Sequence, residues 1–128
     1  MQISESNPKI EAVNLLQAFA QVQGNWHPKV LGRVNDQYVK IARIEGEFVW
    51  HSHADEDELF YVIRGSMRMD LDGRSIDLRE GDFLVVPKGV QHRPVAEREC
   101  LIMLIETDTT LHTGDEITEL TVNIADQI

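Results

Sequence analysis

The sequence predicts an all-β fold, an antiparallel sandwich or barrel, for this chain of 128 residues. Roughly eight to ten short segments with the pattern of strands follow one another at close spacing, with turn residues between them. In the clearest of them, Met67, Met69 and Leu71 alternate with polar residues. Asp72-Gly73, a pair typical of a two-residue hairpin turn, follows directly.

Helical periodicity is confined to one stretch near the N-terminus. Residues 1–10 are polar and are interpreted as a loose arm. Apolar residues between Glu11 and Val22 then recur at helical spacing. Asn14 is predicted to cap a short helix over 15–20, and Gly24 to end it.

The remaining segments are predicted as strands in chain order. Glu45-Gly46 is interpreted as a turn, and residues 117–124 as a last edge strand. The segment 99–106 is apolar on both faces, which indicates burial on both faces. The other predicted extended segments are 26–35, 37–44, 47–53, 58–64, 66–71, 74–78, 83–87 and 90–95.

The bulk properties limit the organisation and the partners of the chain. Its length suits one domain, with the arm and helix in residues 1–24 and the barrel in residues 25–124. A net charge of -10 argues against nucleic acid and against anionic membranes as partners.

The location is predicted from the cysteine content and from the N-terminus. Cys100 is the sole cysteine, so no intrachain disulfide is possible, and its apolar neighbours indicate a core residue. The N-terminus lacks the pattern of a signal peptide, and a cytoplasmic location is expected.

His51 and His53 are the first candidate metal ligands. Side chains two apart on a strand point to the same side, so these two imidazoles project together. An H-x-H pattern alone is not specific, because two nearby histidines are often coincidental or exposed.

Glu58 is the third candidate, at the start of the next predicted strand. It shares a face with Phe60 and Val62, and a buried carboxylate needs a cation or hydrogen bonds. The acidic residues 55–57 are interpreted instead as a solvated loop.

His92 follows a turn that contains Pro87 and Gly89, and taken alone it would be assigned as a structural or surface histidine. Three imidazoles with one carboxylate form a mixed nitrogen and oxygen set. Such a set suits Fe, Mn, Co, Ni, Cu or Zn, but not Ca or a thiolate-type structural zinc site. Four protein ligands would leave positions open for substrate, water or dioxygen.

These residues lie in two segments that resemble the two motifs of the cupin superfamily. Two departures from the family pattern occur. Four residues rather than five separate Gly46 from His51, and Ala96 stands where asparagine is common. The nine matching positions are Gly46, His51, His53, Glu58, Gly65, Gly81, Pro87, Gly89 and His92.

The resemblance is to small single-domain bacterial cupins, and to a subgroup of them often labelled sugar-phosphate-isomerase-like. It implies a double-stranded β-helix, or jelly-roll, barrel with one short N-terminal helix, spanning residues 1–128. It also implies one divalent transition metal ion on His51, His53, Glu58 and His92, with no further cofactor and with catalytic residues undefined. Homodimers are common in such proteins.

The functional expectation is a metal-dependent oxygenase or isomerase acting on a small polar metabolite. The alternative is a non-catalytic cupin that binds a metal or small ligand as a sensor or store. His27 and His112 lie outside both motifs and are interpreted as loop or surface residues; closure of the barrel mouth is the alternative for His112. A phosphate-bearing substrate would want an inward cation from among Lys40, Arg43, Arg64 and Arg93, most of which are expected to be solvated.

Overall fold

The computed structural model describes residues 10–110, 113–114 and 121–128. Seven antiparallel strands form one curved sheet whose two halves face each other as a barrel. The strands are β1 (Lys29–Val34), β2 (Gln37–Glu47), β3 (Glu58–Arg64), β4 (Ser66–Leu71), β5 (Arg74–Arg79), β6 (Phe83–Val86) and β7 (His92–Thr107).

The long strand β7 organises the barrel. It pairs with β2 along most of its length, while its other edge pairs first with β4 and then with β3. Residues 90–95 and 99–106 were predicted as separate strands. They belong largely to this single strand, which bends where Glu97, Arg98 and Glu99 stand opposite Glu45 alone.

The turn predicted at Glu45-Gly46, opposite that bend, is wrong. Strand β2 continues to Glu47 through a bulge between Ile44 and Gly46, with Gly46 at a φ of 86°. A bulge adds twist and curvature to a strand without reversing the chain. The sheet therefore curves here, and this curvature helps to close the barrel.

Alternation along the strands places two apolar clusters on opposite sides of the sheet. Ala42, Ile44 and Ile102 lie inside the barrel with most of the buried residues. Ile41 and Leu101 face outward and are covered by the N-terminal helical segment. Segment 99–106 is thus buried on both faces over much of its length, as its composition predicted.

The N-terminal helix forms where the sequence predicted it. Helix α1 (Leu15–Ala18) continues as a 3₁₀ turn, Phe19–Gln21. The side chain of Asn14 accepts a hydrogen bond from the backbone N–H of Gln17 at 3.0 Å, which confirms the cap. None of the described helices is long and apolar enough to cross a bilayer.

The prediction of an edge strand over 117–124 is wrong where it can be compared. Residues 121–123 have no regular structure, and helix α2 (Ile124–Gln127) follows; residues 117–120 lie outside the described residues. The helical turn directs Gln127 into the protein, where its Oε1 accepts a hydrogen bond from Lys40 at 2.6 Å. A contact with a residue 87 positions away is invisible to local periodicity.

Candidate metal centre

His51 and His92 lie side by side because their backbones pair. The N–H of each donates to the carbonyl of the other, at 3.0 and 2.9 Å, forming an isolated antiparallel bridge. Residues paired in this way carry their side chains on the same face of the sheet. The two ring centroids are consequently 4.1 Å apart.

The orientation of both rings is set by backbone carbonyls. Nδ1 of His51 lies 2.9 Å from the carbonyl of Val49, and Nδ1 of His92 lies 2.9 Å from that of Val90. A carbonyl only accepts, so each Nδ1–H donates, and in the neutral ring Nε2 is the nitrogen with the lone pair. This is the tautomer that a metal-binding imidazole requires.

His53 and Glu58 complete a four-residue group with His51 and His92. One donor atom from each lies within 4.8 Å of all the others, and all four residues are buried. Glu58 Oε1 is 3.3 Å from His53 Nε2 and 3.4 Å from His92 Nε2. Metal–ligand bonds of roughly 2.0–2.2 Å place neighbouring ligand atoms about 3–4.4 Å apart. The group can therefore hold a metal ion.

Unsatisfied polar atoms in the group support the same fit. Glu58 Oε1 and His92 Nε2 are buried and make no hydrogen bond of normal geometry within the described part of the chain. Buried polar atoms are otherwise almost always satisfied, and leaving one unsatisfied costs about 1–3 kcal/mol. A cation between these lone pairs would satisfy both.

The protonation states also suit metal binding. Burial, followed by the electrostatic effect of the adjacent His92 ring, lowers the pKa of His51 to about 4, so His51 is neutral at neutral pH. Burial raises the pKa of Glu58, but the adjacent carboxyl group of Glu106 and the nearby imidazoles of His53 and His92 outweigh it, and the net direction is downward. The site therefore offers lone pairs without first losing a proton from either residue.

A second buried carboxylate, Glu106, was not predicted as part of the site. It faces Glu58 directly across the pairing of β3 with β7. Burial and the charge of Glu58 raise its pKa, so Glu106 is the partner that carries the proton of this pair. Its other neighbour is the ammonium of Lys40, 2.9 Å away and 0% exposed. Glu106 lies two residues after Leu104 and four after Ile102, and both of these side chains point into the barrel. Alternation along the strand therefore predicts that Glu106 also points inward.

A glycine packs closely against His51. An ideal Cβ at Gly114 would lie 2.8 Å from the Cβ of His51 and 2.5 Å from the carbonyl oxygen of Ser52. Gly114 also has a φ of 79°, which disfavours other residues. Only a residue without a side chain fits against the candidate ligand His51 at this point.

The group opens onto a cavity of about 30 Å³ inside the barrel. His51, Glu58 and Glu106 supply its polar lining, and the rest of the wall is apolar. The stacked rings of Trp26 and Phe48, 4.6 Å apart, form one side, and Phe48 meets His51 edge-on at 5.4 Å.

The other predicted residues lie away from this group. The acidic residues 55–57 are outside it, although Asp57 accepts a hydrogen bond from the backbone of Lys88 at 2.8 Å. His27 contacts the carbonyl of Asp126 at 3.2 Å, and His112 lies outside the described residues. Lys40 is the candidate cation that is fully buried, and it is paired with Glu106 rather than available to a phosphate.

The barrel and its histidine–glutamate group define a class of protein, and comparison with known proteins identifies it. Residues 38–106, more than half of the chain, match the family model of the cupin domain. The chain therefore belongs to the cupin family.

Individual relatives agree with this family. The uncharacterised protein YdbB of Bacillus subtilis is 38% identical over 81 residues, 62% of this chain and 72% of YdbB. A solved cupin-2 domain protein from Shewanella frigidimarina is 42% identical, with a TM-score of 0.73 over 74% of this chain and 93% of that one. Protein NMB1881 from Neisseria meningitidis is 35% identical, with a TM-score of 0.70 over 77% of this chain and 100% of that one.

Proposed function

We propose that this cupin binds one divalent transition metal ion and is a metal-dependent oxygenase or isomerase. The ligands are His51, His53, Glu58 and His92, and the substrate is a small molecule with polar oxygen donors. The observation that carries the proposal is the convergence of four buried donor atoms within 4.8 Å, with the rings of His51 and His92 oriented by backbone carbonyls.

The residues around the ligands have defined roles in this proposal. A bound divalent ion would supply Lewis acidity or activate dioxygen at positions that the protein leaves open. Glu106 keeps a proton next to Glu58 and so limits the negative charge of the carboxylate pair. The apolar wall excludes water, which strengthens electrostatic interactions within the cavity.

A non-catalytic metal or ligand sensor is the second candidate. The observation in its favour is the cavity volume of about 30 Å³, room for about one water-sized molecule beside the ligands. A screen of small substrates with oxygen consumption recorded in parallel separates the two candidates. Turnover that requires the metal supports the enzyme, and saturable binding without turnover supports the sensor.

Metal analysis tests the site itself. Protein purified without a histidine tag is expected to carry about one metal ion per chain, because the ligand set is complete. His51→Ala and His92→Ala should lose it, since each removes a ligand and leaves a cavity in its place. His27→Ala is the matched control, because His27 lies outside the group. Full metal content in both ligand variants would refute the ligand assignment.

We further propose a cytoplasmic homodimer. Strands β6, β3 and β7 carry apolar side chains on their outer face, of which Phe83 is 64% exposed and Val85 47% exposed. Contiguous apolar faces of this kind mark association surfaces, and a second copy of the same face is the proposed occupant. The proposed location rests on cysteine usage, because Cys100 is the sole cysteine and is not in a disulfide.

A further inference from the structure

We propose that the cavity takes a small molecule with a flat apolar body and one oxygen-bearing end, an inference that rests on the metal-binding function above. The proposed substrate class is narrower than the one that membership of the cupin family indicates. The oxygen-bearing end would lie at the metal ligands, and the apolar body would lie against the wall formed by Trp26 and Phe48.

The polar groups of the cavity are concentrated at one end. Its polar lining consists of His51, Glu58 and Glu106, and the first two are metal ligands in the proposed function. A molecule with hydroxyl groups along its length would bury them against carbon, and each unpaired hydroxyl lowers affinity. The lining therefore accepts one polar end and disfavours a polyhydroxylated body.

The charges of the cavity disfavour a phosphate group. Among the described residues, none of the side chains lining it is a lysine or an arginine. The nearest buried ammonium, Lys40, is occupied by Glu106 at 2.9 Å and by Gln127 at 2.6 Å. Apart from the metal ion, a phosphate would thus meet no cationic side chain and would lie beside the Glu58 carboxylate, which argues against the sugar phosphates suggested by the subgroup label.

The aromatic wall is held in an unusual conformation. Trp26 has a φ of 61°, which for a bulky residue costs on the order of 1–2 kcal/mol. The conformation persists because three contacts impose it. The backbone N–H of Trp26 donates to the Arg43 carbonyl at 2.8 Å, its Nε1–H donates to the Glu45 carbonyl at 3.0 Å, and its ring stacks on Phe48. Such strain is typical of residues that position a ligand.

Trp26 is also the part of the cavity wall that must move when a ligand enters. The cavity volume of about 30 Å³ holds roughly one water, so a ring-sized body fits only when part of the wall shifts. Trp26 is half-buried and belongs to the segment between the 3₁₀ turn and β1, whereas Phe60 and Ile102 are buried within the sheet. The indole is therefore the side chain whose environment changes when a ligand enters.

The test uses the full-length chain carrying Trp50→Phe, which leaves Trp26 as the sole tryptophan. Zinc is titrated first, by calorimetry, because this ion has no d-electron absorption that would disturb fluorescence. Benzoate, glycolate and glucose 6-phosphate are then titrated into the zinc-loaded protein while the emission of Trp26 is recorded. The three probes represent a flat apolar carboxylate, a carboxylate without a ring, and a polyhydroxylated phosphate.

Benzoate is expected to bind about tenfold or more tightly than glycolate, since it also buries a ring, and to shift the Trp26 emission. Glucose 6-phosphate should bind most weakly. Phe48→Leu should abolish most of the preference for benzoate, whereas the matched control Phe83→Leu, on the outer face, should not.

Each contrary result has its own meaning. Glycolate or glucose 6-phosphate binding as tightly as benzoate to the zinc-loaded protein would overturn this inference and leave the metal site intact. A preference for benzoate that survives Phe48→Leu undiminished would overturn the placement of the ring. Absence of zinc binding in the first titration would instead overturn the proposed function.

Discussion

Replacing Gly114 by alanine tests how closely the chain packs around the proposed ligand His51. The added Cβ would lie 2.5 Å from the Ser52 carbonyl oxygen and 2.8 Å from the His51 Cβ, against optimal contact distances of about 3.5–4.0 Å. Relieving the overlap requires His51 or Gly114 to move by roughly 0.7–1 Å. Metal sites tolerate deviations of only about 0.2 Å in ligand distance.

Two effects add in Gly114→Ala. The positive φ costs about 1–2 kcal/mol for a non-glycine residue, and the crowding about 1–3 kcal/mol. The free energy of unfolding of the metal-free protein should fall by about 2–5 kcal/mol, measured by urea denaturation. Zinc affinity, measured by calorimetry, should fall by roughly 10–100-fold, because a ligand is displaced.

Gly73→Ala is the matched control. Gly73 has a φ of 78°, but nothing lies within 4 Å of an ideal Cβ there. It should lose only the conformational part, about 1–2 kcal/mol, and keep its zinc affinity. Equal losses of stability and equal zinc affinities in the two variants would exclude crowding at Gly114 as the cause.

Three further predictions concern the interior, the pH dependence and the outer face. Lys40→Met should destabilise the metal-free protein by about 1–3 kcal/mol in urea denaturation, because it leaves the buried carboxyl group of Glu106 without its polar neighbour 2.9 Å away. Adding Glu106→Leu should recover most of that loss, and no recovery would contradict the pairing. Hydrogen bonds, led by that from Arg68, hold the pKa of Asp70 below its usual range. Asp70 thus stabilises the fold above its unfolded pKa of about 3.9, an effect lost as the pH falls through the lower folded value. Asp70→Asn should flatten this part of the stability curve, and an unchanged slope below about pH 4 would exclude the assignment. Phe83→Glu should convert the dimer to monomer in light scattering; a wild-type monomer, or a variant that stays dimeric, would refute the proposed face.

Much of the fold could be predicted from local patterns in the sequence. The hairpin at Asp72-Gly73, the cap at Asn14 and the inward face of Glu58, Phe60 and Val62 depend on turn chemistry and on residues two apart. These features follow from backbone geometry that neighbouring residues determine by themselves. The histidines and Glu58 were singled out by motif spacing, which is a property of the sequence, although the strand predicted over 47–53 is wrong after Glu47, where only His51 forms an isolated bridge.

Residues with partners distant in sequence could not be predicted in this way. From the sequence, Glu106 resembles the polar end of an apolar strand, and Lys40 resembles a solvated cation. The pairing of β7 with β3 and β2 instead places the two side chains together inside the barrel. Gln127 was assigned to no element, although it is buried against Lys40.

The sequence by itself determined the all-β class, the family and the four candidate ligands, because each depends on residue types at short, regular spacings. Only the tertiary structure decided what surrounds those ligands: the second carboxylate, the apolar wall and the close contact of Gly114 with His51. Those features arise between strands and loops far apart in the chain, where contact depends on register and curvature rather than on neighbouring residues.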